Sequence, residues 1–209
     1  VVSDTQVLPV SDALGSDAVL LALAATAYHA VSGGGTQEPF TPPDLIIGHG
    51  VMGRLLARLT VAAGCPAPTV WETQPEIAKG AQGYEVIRPE DDPRKDYQAI
   101  YDVNGDGSVL DQLIQRIRPG GEVVLAGFYK HGLQFSYSPA FGREARIRVS
   151  AEWKRSDLLA VNQLVNSGQL SLKGLVTHVQ AFHSVNAAYE TAFGDVSCLK
   201  MVLDWSAHA

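Results

Sequence analysis

Three glycines at one spacing, Gly48-x-Gly50-x-x-Gly53, and a glutamate nineteen residues further on, Glu72, are the residues whose types and intervals suggest chemistry. They stand where an apolar run, "DLII", gives way to the amphipathic "VMGRLLARL". In a strand-to-helix turn each glycine has its own work: the first permits the tight turn, the second lets backbone approach a pyrophosphate, and the third lets helix pack close on strand. The amides of Val51 and Met52, in the first helical turn, would then face the anion with the partial positive charge of a helix N-terminus behind them. Glu72 ends the next apolar run, "PTVWET", where a carboxylate would accept hydrogen bonds from the adenosine ribose hydroxyls of a dinucleotide. No arginine follows it directly, so a ribose 2′-phosphate would meet negative charge without an adjacent cation, and NAD is expected over NADP. Taken alone, the glycine spacing also suits a turn that serves geometry only.

The elements that must position these residues follow from the hydrophobic pattern. Residues 13–32, rich in alanine and leucine with Ser16 or Asp17 placed to cap, read as a helical stretch, whole or broken in two. "GGGTQEPFTPP", residues 33–43, stops any helix. Strand-like runs then recur at 44–50, 68–73, 84–87, 99–103, 121–128 and 145–153, and the opening "VVSDTQVLPV" reads as part of another. Helical spacing is clear over 51–64 and 109–117, whereas "QPEIAKGAQG" makes a short, poor helix. This alternation predicts an α/β fold, a Rossmann-type doubly wound parallel sheet. After Trp153 the pattern changes to a capped amphipathic helix ending at Gly168, a strand in "GLVTHVQAF", a helix capped by Ser184 and a final strand in "CLKMVLDW". This tail is read as a separate lobe or part of one.

Composition narrows the functional classes. A chain of 209 residues with a formal net charge of −6 and no cluster of Lys or Arg is unsuited to neutralising nucleic acid phosphates or to sitting on an anionic membrane. Its longest near-apolar run, residues 18–27, falls short of the roughly 20 residues that cross a bilayer, so no transmembrane segment is expected. Two distant cysteines, Cys65 and Cys198, spell neither a disulfide framework nor a zinc site, and a reducing cytoplasm suits them.

Beyond the glycine turn, "LALAATAYHAV", "GGEVVLAGF", "LVNSGQLSLKGLVTHVQAFHSVNAAYETA" and "CLKMVLDW" resemble the cofactor domain and C-terminal segment of medium-chain dehydrogenases/reductases. The strings "GHGVMGRLLARL" and "SYSPAFGREARIRVSAEW" resemble a branch of that superfamily that acts on chlorin pigments. The resemblance implies a nicotinamide enzyme that removes a hydride from a hydroxyethyl carbon of the pigment and leaves an acetyl group, late in bacteriochlorophyll synthesis. It also implies three parts: residues 1–17 as a remnant of a catalytic lobe, 18–168 as the NAD-binding domain, and 169–209 as the C-terminal part of that lobe. The lobe's N-terminal part, with any zinc ligands and the proton acceptor, would then lie before Val1, and no catalytic residue is assigned. A zinc-free quinone or enoyl reductase and a non-catalytic NAD-binding module stay open as alternatives.

Further site residues come from both sources. The resemblance implies that Thr26 lies beside the nicotinamide, although a helix hydroxyl bonded to its own backbone explains it equally well. It also implies that Lys200 touches the pyrophosphate, against the plain reading of a solvated edge lysine. The sequences "DVNG", with Asn104, and "GFY", from Gly127 to Tyr129, end the fourth and fifth strands, where an open parallel sheet places its ligand crevice. Trp153 reads as plain core, His49 is given no chemical role, and His29, His131, His178 and His183 read as surface or satisfied histidines. A homodimer through the sixth strand, as in the family, is expected.

Overall fold

The computed structural model describes residues 7–33 and 41–206. Six parallel strands form one sheet: β1 (Leu45–Ile47), β2 (Thr69–Trp71), β3 (Glu85–Ile87), β4 (Tyr97–Asp102), β5 (Ile117–Leu125) and β6 (Arg146–Val149). Their spatial order, β3-β2-β1-β4-β5-β6, reverses direction between β1 and β4, and such a reversal opens a crevice at the carboxyl ends of the strands. The helices are α1 (Leu21–Val31), α2 (Val51–Ala62), α3 (Pro75–Ala78), α4 (Leu110–Arg116), α5 (Tyr137–Gly142), α6 (Arg155–Asn166) and α7 (Val185–Gly194). A second, two-stranded parallel sheet pairs β7 (His178–Ala181) with β8 (Met201–Asp204).

Strands covered on both faces read as continuous apolar runs rather than alternating ones, which is why "LII" of β1 is wholly buried. One face packs Ile46, Val70, Tyr101 and Val124 against residues of α1 and α2; the other packs Leu45, Ile47, Ile100 and Leu125 against Leu110, Leu113 and Ile114 of α4. Leu170, Leu172 and Leu175 belong to the first of these cores, so the packing runs past the expected boundary at residue 168. Arg58 of α2 reinforces it, donating to the carbonyls of Ser171 at 2.8 Å and Lys173 at 3.1 Å. A buried hydrogen bond, His29 Nδ1 to Asp157 Oδ2 at 2.8 Å, ties α1 to α6.

Several expectations change in detail. The N-terminal helical stretch is broken: a 3-10 segment, Asp12–Leu20, kinks at Gly15 before α1, and its cap is Ser11, which accepts the Ala13 amide, not Ser16 or Asp17. Asp12–Val31 has the length and hydropathy (1.4) of a membrane span, against the shorter run expected. From Leu20 onward it packs into the interior, with Leu20, Ala24, Ala25 and Ala27 fully buried, while residues 12–19 are exposed or half-buried. Of the strand-like opening, residues 1–6 lie outside the described residues, and 7–10 form no strand. The sixth strand ends at Val149; Glu152 turns the chain with φ +60°, and Trp153 is 39% exposed, so it is not core. Ser184 precedes α7 without any side-chain capping bond.

Candidate nucleotide-binding site

Strand register delivers the site. Ile47 pairs with Trp71 and with Asp102, Asp102 with Leu125, and Leu125 with Val149. The residues that follow these strand ends therefore leave the sheet along a single edge: the glycine turn after β1, Glu72 after β2, Asn104 after β4 and Gly127 after β5. Gly48, Glu72 and Asn104 line one cleft of about 240 Å³, together with Thr73, Asp106 and Gln112.

The three glycines of the turn differ in what they do: the fold requires the first and third, and the second leaves space. Gly48 adopts φ +100°, a conformation that L side chains rarely take. A Cβ on Gly53 would sit 1.9 Å from the Gly48 carbonyl oxygen, so α2 can approach β1 only without one. A Cβ on Gly50 would meet nothing within 4 Å, so this glycine leaves open space directly before α2. Gly50 caps the helix with backbone alone, and no acidic residue stands in the first turn. The early amides of α2, those of Val51 and Met52 among them, thus have no side chain competing for them. Open space at Gly50 over a bare helix N-terminus fits a pyrophosphate.

Glu72 is held in place by three backbone amides. Oε2 accepts from His49 at 3.0 Å, and Oε1 from Thr73 at 2.8 Å and Gln74 at 2.9 Å. Two carboxylate oxygens offer about four lone-pair sites, which leaves room for a ribose hydroxyl. Across the cleft, Asn104 Oδ1 accepts from the Asp106 amide at 2.6 Å, while the Asn104 amide donates to Asp102 Oδ1 at 3.0 Å.

A brace behind the turn was not legible in the sequence. His49, fully buried, contacts the Ile77 carbonyl through Nδ1 at 2.7 Å and the Tyr84 hydroxyl through Nε2 at 2.8 Å. A carbonyl only accepts, so Nδ1 carries the proton and Tyr84 donates to Nε2. Arg54 donates Nε to the His49 carbonyl at 2.9 Å and Nη2 to the carbonyls of Ile77 and Lys79 at 2.8 and 2.7 Å. The turn is thereby tied to the β2–β3 connection. The only signal in the sequence was a basic residue in the first turn of a helix, where the dipole disfavours it.

Burial pulls the His49 imidazole from its usual 6.5 down to about 4, against the opposing hydrogen bond to Ile77. Between those two values the unfolded chain binds the proton and the folded chain does not, so this contribution is full above pH 6.5 and is lost as pH falls toward 4. At about 1.4 kcal/mol per unit, the loss by pH 4.5 is about 2–3 kcal/mol. In urea titrations, His49→Gln should therefore differ most from the wild type at pH 7 and least at pH 4.5. An equal gap at both pH values would show that the imidazole is not held neutral.

The remaining expected site residues are distributed as follows. Thr26 donates its hydroxyl to the Ala22 carbonyl at 3.1 Å, the backbone bond weighed against the nicotinamide reading. Tyr129 donates its hydroxyl to Asp102 Oδ2 at 2.8 Å. Burial raises the pKa of both groups, and Asp102 beside it pushes the phenol up further, so Tyr129 keeps its proton. Gly127 abuts Gly105, backbone on backbone. Lys200 lines a groove of about 370 Å³ on the β7–α7–β8 unit with Tyr189 and Phe193. Of the histidines, His29 and His49 are satisfied internally and His178 bonds Thr177 at 2.9 Å. Among the described residues no group of three or more His, Cys, Asp or Glu side chains could hold a metal ion.

No family model matches the chain. It is 51% identical over 96% of its length to a 2-desacetyl-2-hydroxyethyl bacteriochlorophyllide A dehydrogenase of Cereibacter sphaeroides, and 51% identical over 98% to the protein of that name from Rhodobacter capsulatus. This chain is thus similar, over nearly the whole of its own length, to two named dehydrogenases. It spans 62% and 64% of the length of those two relatives. The same fold occurs in a solved short chain alcohol dehydrogenase of Escherichia coli complexed with NADH. That structure superposes on 98% of this chain with a TM-score of 0.83 at 20% identity, and the chain covers 64% of it.

Proposed function

We propose that this chain supplies the nucleotide-binding part of an NAD-dependent dehydrogenase that oxidises the hydroxyethyl side chain of a bacteriochlorophyllide to acetyl. The observation that carries this reading is the 51% identity, sustained over nearly the whole chain, to two proteins whose names specify that substrate. The crevice supports it, because an open Gly50, a bare helix N-terminus and a fixed carboxylate are what a dinucleotide needs. In this reading residues 18–168 form the NAD-binding unit, and 1–17 and 169–209 belong with a catalytic lobe.

A bound oxidised nicotinamide would supply a hydride acceptor for the carbinol carbon, with the hydroxyl proton leaving separately. The chain's own residues bind and orient. Amides of Val51 and Met52 hold the pyrophosphate, Glu72 accepts from the adenosine ribose, and the Gly105–Gly127 contact sets the spacing of the loops beyond β4 and β5. Thr26 and Lys200 are assigned to the nicotinamide and the pyrophosphate by family likeness. The described residues do not fit a zinc ion, and no step is assigned to one. The exposed edge strand β6, with Val149 72% accessible, supports a homodimer, and the two free cysteines support a cytoplasmic setting.

Calorimetric titration of NAD(H) and NADP(H) into the full-length protein tests this, alongside turnover of the hydroxyethyl pigment. NAD(H) is expected to bind at least about tenfold tighter than NADP(H), a gap of ~1.4 kcal/mol. Glu72→Ala should narrow that gap. Binding of neither nucleotide would make the glycine turn structural and remove the dehydrogenase reading.

A further inference from the structure

Two guanidinium groups, Arg54 and Arg58, lie one turn apart on α2 with only 5% and 6% of their surface exposed. Buried charges are ordinarily paired, because an unpaired one forgoes its hydration. Neither of these forms an ion pair with the described residues. Arg54 donates instead to the carbonyls of His49, Ile77, Lys79 and Gly80, and Arg58 to those of Ser171 and Lys173. Gly80 is shaped to the first cation: it has φ +82°, and a Cβ there would lie 2.7 Å from Arg54 Nη1. The carboxylate that Arg54 feels is Glu72, so two cations against one anion leave the interior behind the glycine turn positive. A side chain already enclosed by its own chain stays enclosed whatever else packs around it.

One of the four carbonyls gives Arg54 its reach. In a trans peptide the C=O and the N–H point in opposite directions. The unit that turns the His49 carbonyl toward Arg54 at 2.9 Å therefore turns the Gly50 amide away from it. That amide has no protein partner among the described residues, and the space over Gly50 is open. A cation bonded to one end of a peptide unit polarises it and strengthens the donor at the other end. We infer that Arg54 is a positioning residue for the dinucleotide's pyrophosphate: it fixes the His49–Gly50 peptide with its amide toward the ligand and sets behind it a charge that the two phosphates balance. This inference rests on the nucleotide-binding reading of the glycine turn.

The test uses the full-length protein, with NADH binding read from its fluorescence and ADP and adenosine added as competitors. Arg54→Gln should raise the Kd of NADH and of ADP roughly 10- to 100-fold, the worth of a hydrogen bond to a charged group, and leave that of adenosine, which carries no phosphate, within about twofold. Arg54→Lys, which keeps the charge, should recover most of the loss. Equal weakening of all three ligands would make Arg54 a support of the fold alone and overturn the inference, as would a lysine variant no better than the glutamine one. If Arg54→Gln shows no cooperative melting, Gly80→Ala takes its place: it keeps the cation, crowds Nη1 off its carbonyls and should show the same selective loss. ADP affinity equal to the wild type's in that variant would overturn the inference. Wild-type protein that binds neither NADH nor ADP overturns the nucleotide reading as well; wild-type binding without selective loss in the variants overturns this inference alone.

Discussion

Gly50→Val abolishes nucleotide binding and leaves the protein folded. At Gly50 the backbone has φ −68° and ψ −168°, extended geometry that valine adopts readily. The added Cβ meets no atom within 4 Å, and at a helix N-cap the exchange of glycine for valine costs about 1 kcal/mol. The thermal midpoint should therefore fall by no more than about 4 °C. The isopropyl group occupies the space in front of the α2 amides that a pyrophosphate must enter. Affinity for NAD(H) should drop at least about 100-fold, equivalent to ~2.7 kcal/mol. Calorimetry beside a melting curve measures both, and retained binding would show that the phosphates do not pass over this residue.

Gly53→Ala, three residues later, reverses the outcome. Alanine in a helix interior ordinarily gains about 1 kcal/mol over glycine. Here the methyl group would stand 1.9 Å from the Gly48 carbonyl oxygen and 3.5 Å from Ile46 Cγ2. The first of these is a collision with backbone, which no rotamer change relieves. Either α2 must lift from the sheet or the turn must reshape, and the core under Leu55 and Leu56 opens with it. We expect a loss of about 3 kcal/mol or more, seen as a thermal midpoint lowered by roughly 6–12 °C. A midpoint within a degree of the wild type would show that the helix-to-strand approach is looser than the geometry requires.

These two glycines also show what a linear text reveals. The six main strands are legible because a strand buried on both faces is written as an unbroken apolar run, as in "LII" of β1 or "AIY" within β4. The glycine turn and Glu72 are legible because their work depends on residue type at a fixed interval. The brace of Arg54 and His49 was hidden for the converse reason. Most of its acceptors are carbonyls, at Ile77, Lys79 and Gly80, and every residue has one, so spacing carries no trace of them. Trp153 misled because a large aromatic after an apolar run reads as core, whereas positive φ at Glu152 had already turned the chain outward. Lys200 received its role by likeness alone, whereas its place just before the closing strand of the β7–α7–β8 unit was legible in the pattern of "CLKMVLDW".

The tie between α1 and α6 bears on how the chain comes into being. His29 is 128 residues from Asp157, and Arg148 reaches back 118 residues to the Ala30 carbonyl at 3.2 Å. At synthesis rates of roughly 5–20 residues per second, α1 leaves the ribosome about 6–26 s before the residues that complete its packing. Loop closure of that span must come before any of those contacts rewards it. The apolar first helix is therefore the part of the nascent chain most in need of a holding chaperone, and folding of the whole sheet waits on its last third.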